Sequence, residues 1–286
     1  MEIVTNRSEL QAWLAPHQAH GKRIGLVPTM GALHAGHLSL VEYAKPLVDL
    51  VVCSIFVNPT QFNDPEDLKK YPRPIERDIQ MLRHAKCDLL FIPEVEEMYP
   101  EDEPAWHLDL GELDVILEAK HRPGHFQGVT QIVSKLFEAV RPDIACFGQK
   151  DFQQCMVIQH MVQALKLPVK LAICPTVREH DGLAMSSRNV RLSDTGRQQA
   201  LALVATLRNA KTNSVNMEVR QVVSQAVESL SQSDGVDLEY FEVRDAATLG
   251  EIDAVGAGQA AVALVAAWVD GVRLIDNMLL DFPGRD

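Results

Sequence analysis

The sequence predicts an α/β chain: a doubly wound parallel sheet domain over residues 1–176, then a smaller α+β domain with antiparallel strands over 177–286. Three observations carry that expectation. Apolar, β-branched runs such as Ile24–Val27 and Val51–Val57 alternate with helical stretches, the order of βαβ units. The alternation stops at Pro175. Beyond it, Asp270-Gly271 sits between two further strand-like runs, a strong signal for a two-residue hairpin.

The elements follow in chain order. Asn6–Leu14 is a short amphipathic helix with Asn6 as its cap. Ile24–Pro28 is the first buried strand, and a helix from about Leu38 to Ala44 follows, limited by Pro46. Val51–Val57 is a second buried strand. Further strands are expected at Asp88–Ile92, Asp143–Phe147 and Val169–Ile173. Between them lie helices at Ile75–Ala85, Gly128–Val140 and Phe152–Leu165. Val129, Ile132, Val133, Leu136, Phe137 and Val140 form one apolar stripe on the middle helix. In the second part Ser193 caps a helix from Asp194 to about Asn209, followed by the polar stretch Lys211–Asn216. A second helix carries Val219, Val222, Val223, Ala226, Val227 and Leu230. Strands at Leu238–Val243, Ala261–Val269 and Val272–Ile275 complete it. The domain boundary falls near 175–180.

The 286 residues carry 27 Lys and Arg against 39 Asp and Glu, a net charge of −12. Such an acidic chain argues against a general nucleic-acid surface, while leaving room for a local basic pocket. Five cysteines occur, an odd number without a C-x-x-C pair, and read as buried thiols of a reducing compartment. Met1–Thr5 shows no basic segment leading into an apolar core. The longest apolar stretch, Ala254–Val269, is too short to cross a membrane. A cytoplasmic location and no membrane partner are therefore expected.

The stretch Ile24–His37 organises the chemistry. A strand ends in a turn with Gly31 and Gly36, where the backbone can approach a ligand closely, and then feeds a helix. A helix N-terminus offers N–H groups and a positive dipole end to a phosphate. His34 and His37 share one face and add donors that could become charged as negative charge grows. Neither a P-loop nor a G-x-G-x-x-G fingerprint is present, so these residues alone leave a solvated helix cap as the alternative.

Four other places hold chemistry-bearing side chains. Asn58 and Gln61 leave the second strand at its carboxyl end, where open α/β sheets bind ligands. Tyr71 is a candidate to close that site or to pack beside it, and Arg122 a candidate anion partner or a solvated loop residue. Lys150 and Asp151 follow Gly148 at a strand-to-helix turn, where Lys150 could neutralise phosphates and Asp151 could cap the helix. Ser186, Ser187 and Arg188 lie in the Gly-containing segment 178–189, whose hydroxyls and guanidinium could wrap a triphosphate.

His34-Ala-Gly-His37 resembles the His-x-Gly-His signature of the nucleotidyltransferase and class I aminoacyl-tRNA synthetase superfamily, whose fold is Rossmann-like. The longer string Pro28–His37 is similar to that of the pantothenate synthetase (pantoate–β-alanine ligase) family. Phe56–Phe62, Gly148–Asp151 and Met185–Arg188 resemble that family's strings in the same order, so the likeness spans the chain. It implies ATP-dependent condensation of (R)-pantoate with β-alanine through a pantoyl adenylate, in coenzyme A biosynthesis. It also implies a homodimer and Mg²⁺ bound mainly through ATP.

Residue by residue, the resemblance implies that Met30, Gly31, Ala32, Leu33, His34, Ala35, Gly36 and His37 contact ATP. So do Gly148, Gln149, Lys150 and Asp151, Val177 through its backbone, and Met185, Ser186, Ser187 and Arg188. Gln61 and Gln154 contact pantoate, Gln61 also β-alanine, and Asn58 contributes more weakly. His34, His37, Lys150, Ser186, Ser187 and Arg188 are implied as the catalytic set, with no protein metal ligand identified. The 178–189 loop is expected to be mobile without ATP. The rival readings are nucleotidyl transfer to a phosphate-bearing acceptor, and a non-catalytic nucleotide-binding protein.

Overall fold

The computed structural model describes residues 1–283. Two compact units emerge: Met1–Gln149 with Gln153–Pro175, and Lys150–Phe152 with the chain from Thr176 onward.

The first unit contains, in chain order, β1 (Glu2–Val4), α1 (Arg7–Ala19), β2 (Ile24–Thr29), α2 (Ala35–Ala44) and β3 (Leu50–Ile55). The short helices α3 (Pro65–Lys70), α4 (Ile75–His84) and then β4 (Leu89–Phe91), α5 (Val95–Met98) and α6 (Leu117–His121) follow. α7 (His125–Val140), β5 (Ile144–Gly148), α8 (Phe152–Ala164) and β6 (Lys170–Cys174) complete it. The six strands run parallel in the order β1-β4-β3-β2-β5-β6.

Strand alternation sorts the side chains onto two covered faces. Leu26, Val52, Leu89, Phe91, Ala145 and Phe147 join the core under α1, α7 and α8. Val27, Val51, Cys53, Leu90 and Cys146 point the other way, into the core under α2 and α4. The sheet is thus doubly wound, as the continuous apolar strands predict.

From β2 the chain winds out through β3 to β4, then returns to lay β5 on the opposite side of β2. Ligands of open α/β sheets bind outside the carboxyl ends of the strands at such a switch. β2 pairs with β3 as far as Thr29↔Ile55, and β5 pairs with β6 as far as Gly148↔Cys174. Between β2 and β5 the pairs are only Gly25↔Ile144 and Leu26↔Ala145. Pro28, which has no N–H, stands just beyond them. The ladder therefore opens towards the turn that carries the histidines.

Several boundaries differ from the sequence expectation. β1 goes unannounced because three residues show no period; its register with Leu89–Phe91 supplies the pairing. α1 continues past Leu14 to Ala19 with Pro16 inside it, since one missing N–H near a helix end removes only one bond. α2 begins at Ala35, not near Leu38.

The second unit holds α9 (Asp194–Ser214), α10 (Val219–Ser231), β7 (Val236–Asp245), β8 (Ala261–Val269) and β9 (Val272–Leu280). The strands form an antiparallel sheet in that order. α9 and α10 cover one face of it through Leu203, Leu207, Val222 and Leu230, packed with Phe241, Ala263 and Val265. Asp270 (φ 52°) and Gly271 (φ 68°) are both left-handed, as a type I′ hairpin requires. Ser193 caps α9 by accepting from the Gly196 amide at 3.1 Å. Lys211–Ser214, read as a polar loop, belongs to α9. The reason is tertiary: Ser214 is fully buried and its hydroxyl accepts from the Asp281 amide at 3.1 Å. All five cysteines are free and buried. Among the described residues no helix is long and apolar enough to cross a membrane.

Candidate active site

The turn after β2 is built around two left-handed residues, Gly31 (φ 80°) and Ala32 (φ 49°). Thr29 starts it: its hydroxyl donates to the Ser54 carbonyl at 2.7 Å and accepts from the Gly31 amide at 3.2 Å. His34 is the N-cap of α2 and His37 its third residue. The Gly36 amide donates to His34 Nδ1 at 3.2 Å, and the His34 amide donates to His37 Nδ1 at 3.3 Å. The rings lie 4.1 Å apart between centroids. This is a capping box made by two imidazoles.

The box sets the tautomer. An imidazole that accepts at Nδ1 carries its hydrogen on Nε2. With Nδ1 of each ring accepting, Nε2 is the nitrogen that can donate. A second proton, on Nδ1, would take the acceptor away from the backbone amide.

The same bonds revise the expectation of an amide cradle. The amides of Gly31, His34 and Gly36 are bonded inside the turn, and that of His37 donates to the His34 carbonyl at 2.9 Å. Those of Ala32 and Leu33 donate to the two oxygens of Asp78, each at 2.8 Å. The imidazole edges, rather than these amides, are the turn's distinctive donors.

Asn58 and Gln61 lie beyond β3 and belong to one buried network. Asn58 is 1% exposed. Its Nδ2 donates to Gln61 Oε1 at 3.1 Å and to the Gly128 carbonyl at 3.0 Å. Its Oδ1 accepts from the Tyr99 hydroxyl at 2.6 Å and the Thr60 hydroxyl at 3.1 Å. Both hydrogens and both lone pairs are thus engaged within the protein. Burial pushes the Tyr99 phenol up to about 12, so it stays a donor. With its oxygen held by Asn58, Gln61 presents its Nε2 donors, which reach Met30 Sδ at 3.1 Å. Gln61's backbone carbonyl accepts from Arg122 at 3.4 Å and pairs with His125 Nδ1 at 2.8 Å. α7 approaches so closely that a Cβ on Gly128 would meet the Thr60 carbonyl oxygen at 2.4 Å. Tyr71 is buried with its ring edge-on to Phe62 at 5.7 Å, a packing contact.

On α8, Gln153 is 2% exposed and fully engaged: it accepts from the Glu118 amide and donates to the Leu113 and Ile116 carbonyls. Gln154 beside it is half-buried.

In the second unit, Val177–Glu179 and Leu183–Met185 form a small hairpin. Met185's amide donates to the Val177 carbonyl at 3.0 Å and Glu179's to Leu183's at 2.8 Å. Arg178 at its root grips Asp276 of β9 with two nitrogens, at 2.6 and 2.9 Å. Arg197 holds Glu179 and Asp181 from α9, and Asn189 bonds Glu179 and the Ala184 carbonyl. These bonds anchor the 178–189 segment at several points, and the half-buried Met185–Arg188 lies between them. Lys150 joins this unit because its carbonyl accepts from Asn277 of β9 at 2.8 Å, and its ammonium lies 3.8 Å from Asp151.

The sequence profile of the pantoate-beta-alanine ligase family matches residues 2–279. Pantothenate synthetase of Porphyromonas gingivalis is 47% identical over 278 residues, covering 97% of this chain and 99% of that one. That of Thermotoga petrophila is 45% identical, covering 98% and 100%. The crystal structure of pantothenate synthetase from Thermus thermophilus superposes with a TM-score of 0.91 at 42% identity, over 97% and 99% of the two chains. A pantoate-beta-alanine ligase from Francisella tularensis, complexed with β-γ ATP and β-alanine, gives 0.81 at 34% identity, over 98% and 97%. The chain belongs to the pantoate–β-alanine ligase family.

For this family member, the first unit gathers Met30, His34, His37, Asn58 and Gln61 around the carboxyl ends of β2 and β3. The second unit gathers Lys150 with the root of the hairpin that carries Met185, Ser186, Ser187 and Arg188. Four supporting residues escaped the sequence reading: Asp78, Tyr99, Asp276 and Asn277. Asp78 and Tyr99 lie in segments with no motif, and Asp276-Asn277 sit inside a strand. Only the placing of two polar residues, Asp276 and Asn277, within the apolar run of β9 could have signalled the last two.

Proposed function

We propose that this chain is an ATP-dependent ligase joining (R)-pantoate to β-alanine. A carboxylate oxygen of pantoate attacks the α-phosphorus of ATP, forming pantoyl adenylate and releasing pyrophosphate. The β-alanine amine then attacks the acyl carbon, an amide forms, and AMP leaves with the amine's proton lost to solvent. The observation that carries the reading is the reciprocal cap of His34 and His37 at the sheet's switch point. It sets two imidazoles side by side with Nδ1 of each accepting, in a chain that the family profile matches over residues 2–279.

In this reading the Nε2–H groups of His34 and His37 stabilise charge on the phosphates, with His37 donating to departing pyrophosphate. Lys150, Ser186, Ser187 and Arg188 complete the phosphate clamp. Met30–Ala35, Gly36, Gly148, Gln149, Asp151, Val177 and Met185 line the nucleotide. Gln61 and Gln154 hold pantoate, and Gln61 also β-alanine. Asn58 acts through Gln61, because its own four bonding positions are engaged. Mg²⁺ accompanies the ATP phosphates and supplies charge neutralisation. Among the described residues no group of three or more His, Cys, Asp or Glu is placed to hold a metal ion. A homodimer, a cytoplasmic location and two folding domains divided near residue 176 complete the proposal.

The test is AMP release dependent on both pantoate and β-alanine. AMP and pyrophosphate in equal amounts with pantothenate are expected. A nucleotidylated product without AMP would favour nucleotidyl transfer, and ATP binding without pyrophosphate–ATP exchange a non-catalytic role.

A further inference from the structure

Asp78 is a buried carboxylate that the reaction does not use. It lies on α4, 1% exposed. Its Oδ2 accepts from the Ala32 amide and its Oδ1 from the Leu33 amide, each at 2.8 Å. Burial pushes its carboxyl up from the ordinary value, and the two amides pull it only part of the way back. A buried charge held chiefly by backbone amides is a costly arrangement, and its position tells what it does.

The two amides belong to the tightest part of the turn. Ala32 sits at φ 49°, a strained conformation that side chains other than those of Asn and Asp rarely adopt. Strained backbone persists where its surroundings over-determine it. Here the over-determination is visible. Thr29 fixes the Gly31 amide, Asp78 fixes the next two, and a Cβ on Gly31 would meet Asp78 Oδ2 at 3.1 Å. Leu33, gripped and 2% exposed, directly precedes the N-cap His34. Its placement sets where the cap begins, and with it the azimuth of both rings.

We infer that Asp78 is the positioning residue of the imidazole pair. Its carboxylate clamps Ala32 and Leu33 so that His34 and His37 keep their reciprocal cap and present Nε2–H together. The inference rests on the reading of that pair as phosphate ligands, but its central consequence, the tautomer, is observable without substrate.

Asp78→Asn tests it. The carboxamide keeps shape and one acceptor, but sets an NH₂ against a backbone N–H. Imidazole ¹⁵N spectra of the substrate-free protein should show His34 and His37 as Nε2–H tautomers in the parent chain. The variant should show exchange between tautomers at both rings. His84, whose Nδ1 lies 2.8 Å from the Gln80 carbonyl and so carries its hydrogen there, serves as internal reference. Pantoate-dependent pyrophosphate–ATP exchange should lose about 10²-fold in kcat, as a misplacement near 1 Å can produce, with the KM for pantoate within about threefold. Unchanged His34 and His37 spectra, or undiminished kcat, would overturn the inference. An inactive parent chain with the expected tautomer change would instead remove the ligase reading and leave the positioning role standing. Should the variant not fold, the parent chain still decides. Ala32 and Leu33 amide protons shifted downfield and protected from exchange, as donors to a carboxylate, support the clamp; unprotected amides at coil-like shifts overturn it.

Discussion

Asn277 donates its side-chain amide to the backbone carbonyl of Lys150 at 2.8 Å, joining positions 127 residues apart in the chain. Its own carbonyl accepts from Arg178 at 3.3 Å, and its neighbour Asp276 takes two more bonds from that guanidinium. One dipeptide of β9 thereby fixes both the candidate phosphate lysine and the root of the Ser-Ser-Arg hairpin. Lys150–Phe152 belong to the second unit, and the bond from Asn277 to Lys150 lies within it.

Asn277→Ala should leave the Lys150 carbonyl without its donor. Loss of one partner of a buried bond costs roughly 1–3 kcal/mol. The expected catalytic result is about a tenfold fall in kcat for pyrophosphate–ATP exchange, with the KM for pantoate unchanged. Unaltered kcat in a destabilised variant would confine Asn277 to a structural role.

His34 has two separable duties, capping α2 and presenting Nε2–H. Asparagine is among the best N-caps. His34→Asn should therefore keep the melting temperature within a few degrees yet lose about 10²–10³ in exchange rate, the usual consequence of removing one such donor. His37→Ala should lose as much while retaining the fold. Near-parental exchange in either would remove that ring from the mechanism.

Asn58→Asp replaces the Nδ2 atom and its two N–H donors by a single carboxylate oxygen facing Gln61 Oε1 and the Gly128 carbonyl. Gln61 should turn, and kcat/KM for pantoate should fall at least tenfold, while ATP protection against heat stays near the parental value. If ATP protection fell equally, the network would be supporting the whole unit rather than the pantoate end.

Acid should destabilise the second unit through specific carboxylates. Asp245 is penalised by burial, but the Gln259 amide, the Thr248 hydroxyl and the amides of Ala247 and Thr248 outweigh this and hold it below 3.8. Asp270, accepting from the Ser193 amide, is also lowered. A lowered folded-state value means stabilisation present above the ordinary carboxylate range and lost as pH falls through it. Asp78 has the opposite sign, favouring the fold when protonated. Melting temperature should drop between about pH 5 and pH 2, and Asp245→Asn should flatten that slope. An unchanged slope in the variant would assign the acid loss elsewhere.

What local chemistry determines was open to reading from the chain itself. Apolar, β-branched runs named the buried strands, because a strand covered on both faces has no polar side to alternate. Asp270-Gly271 named its hairpin, because two adjacent left-handed residues need such types. The candidate site was legible as strings: His34, His37, Gln61, Lys150 and Ser186–Arg188 all stand at element ends. Tertiary structure alone decided what those strings do to one another. The imidazole tautomers depend on which backbone amides point at Nδ1, and those amides on a carboxylate 46 residues along the chain from Ala32. Asn58, read from its string as a ligand contact, also closes four bonds within the protein. Such pairings join residues far apart in sequence, where no period or spacing records them, and only the folded chain brings their donors and acceptors within 3 Å.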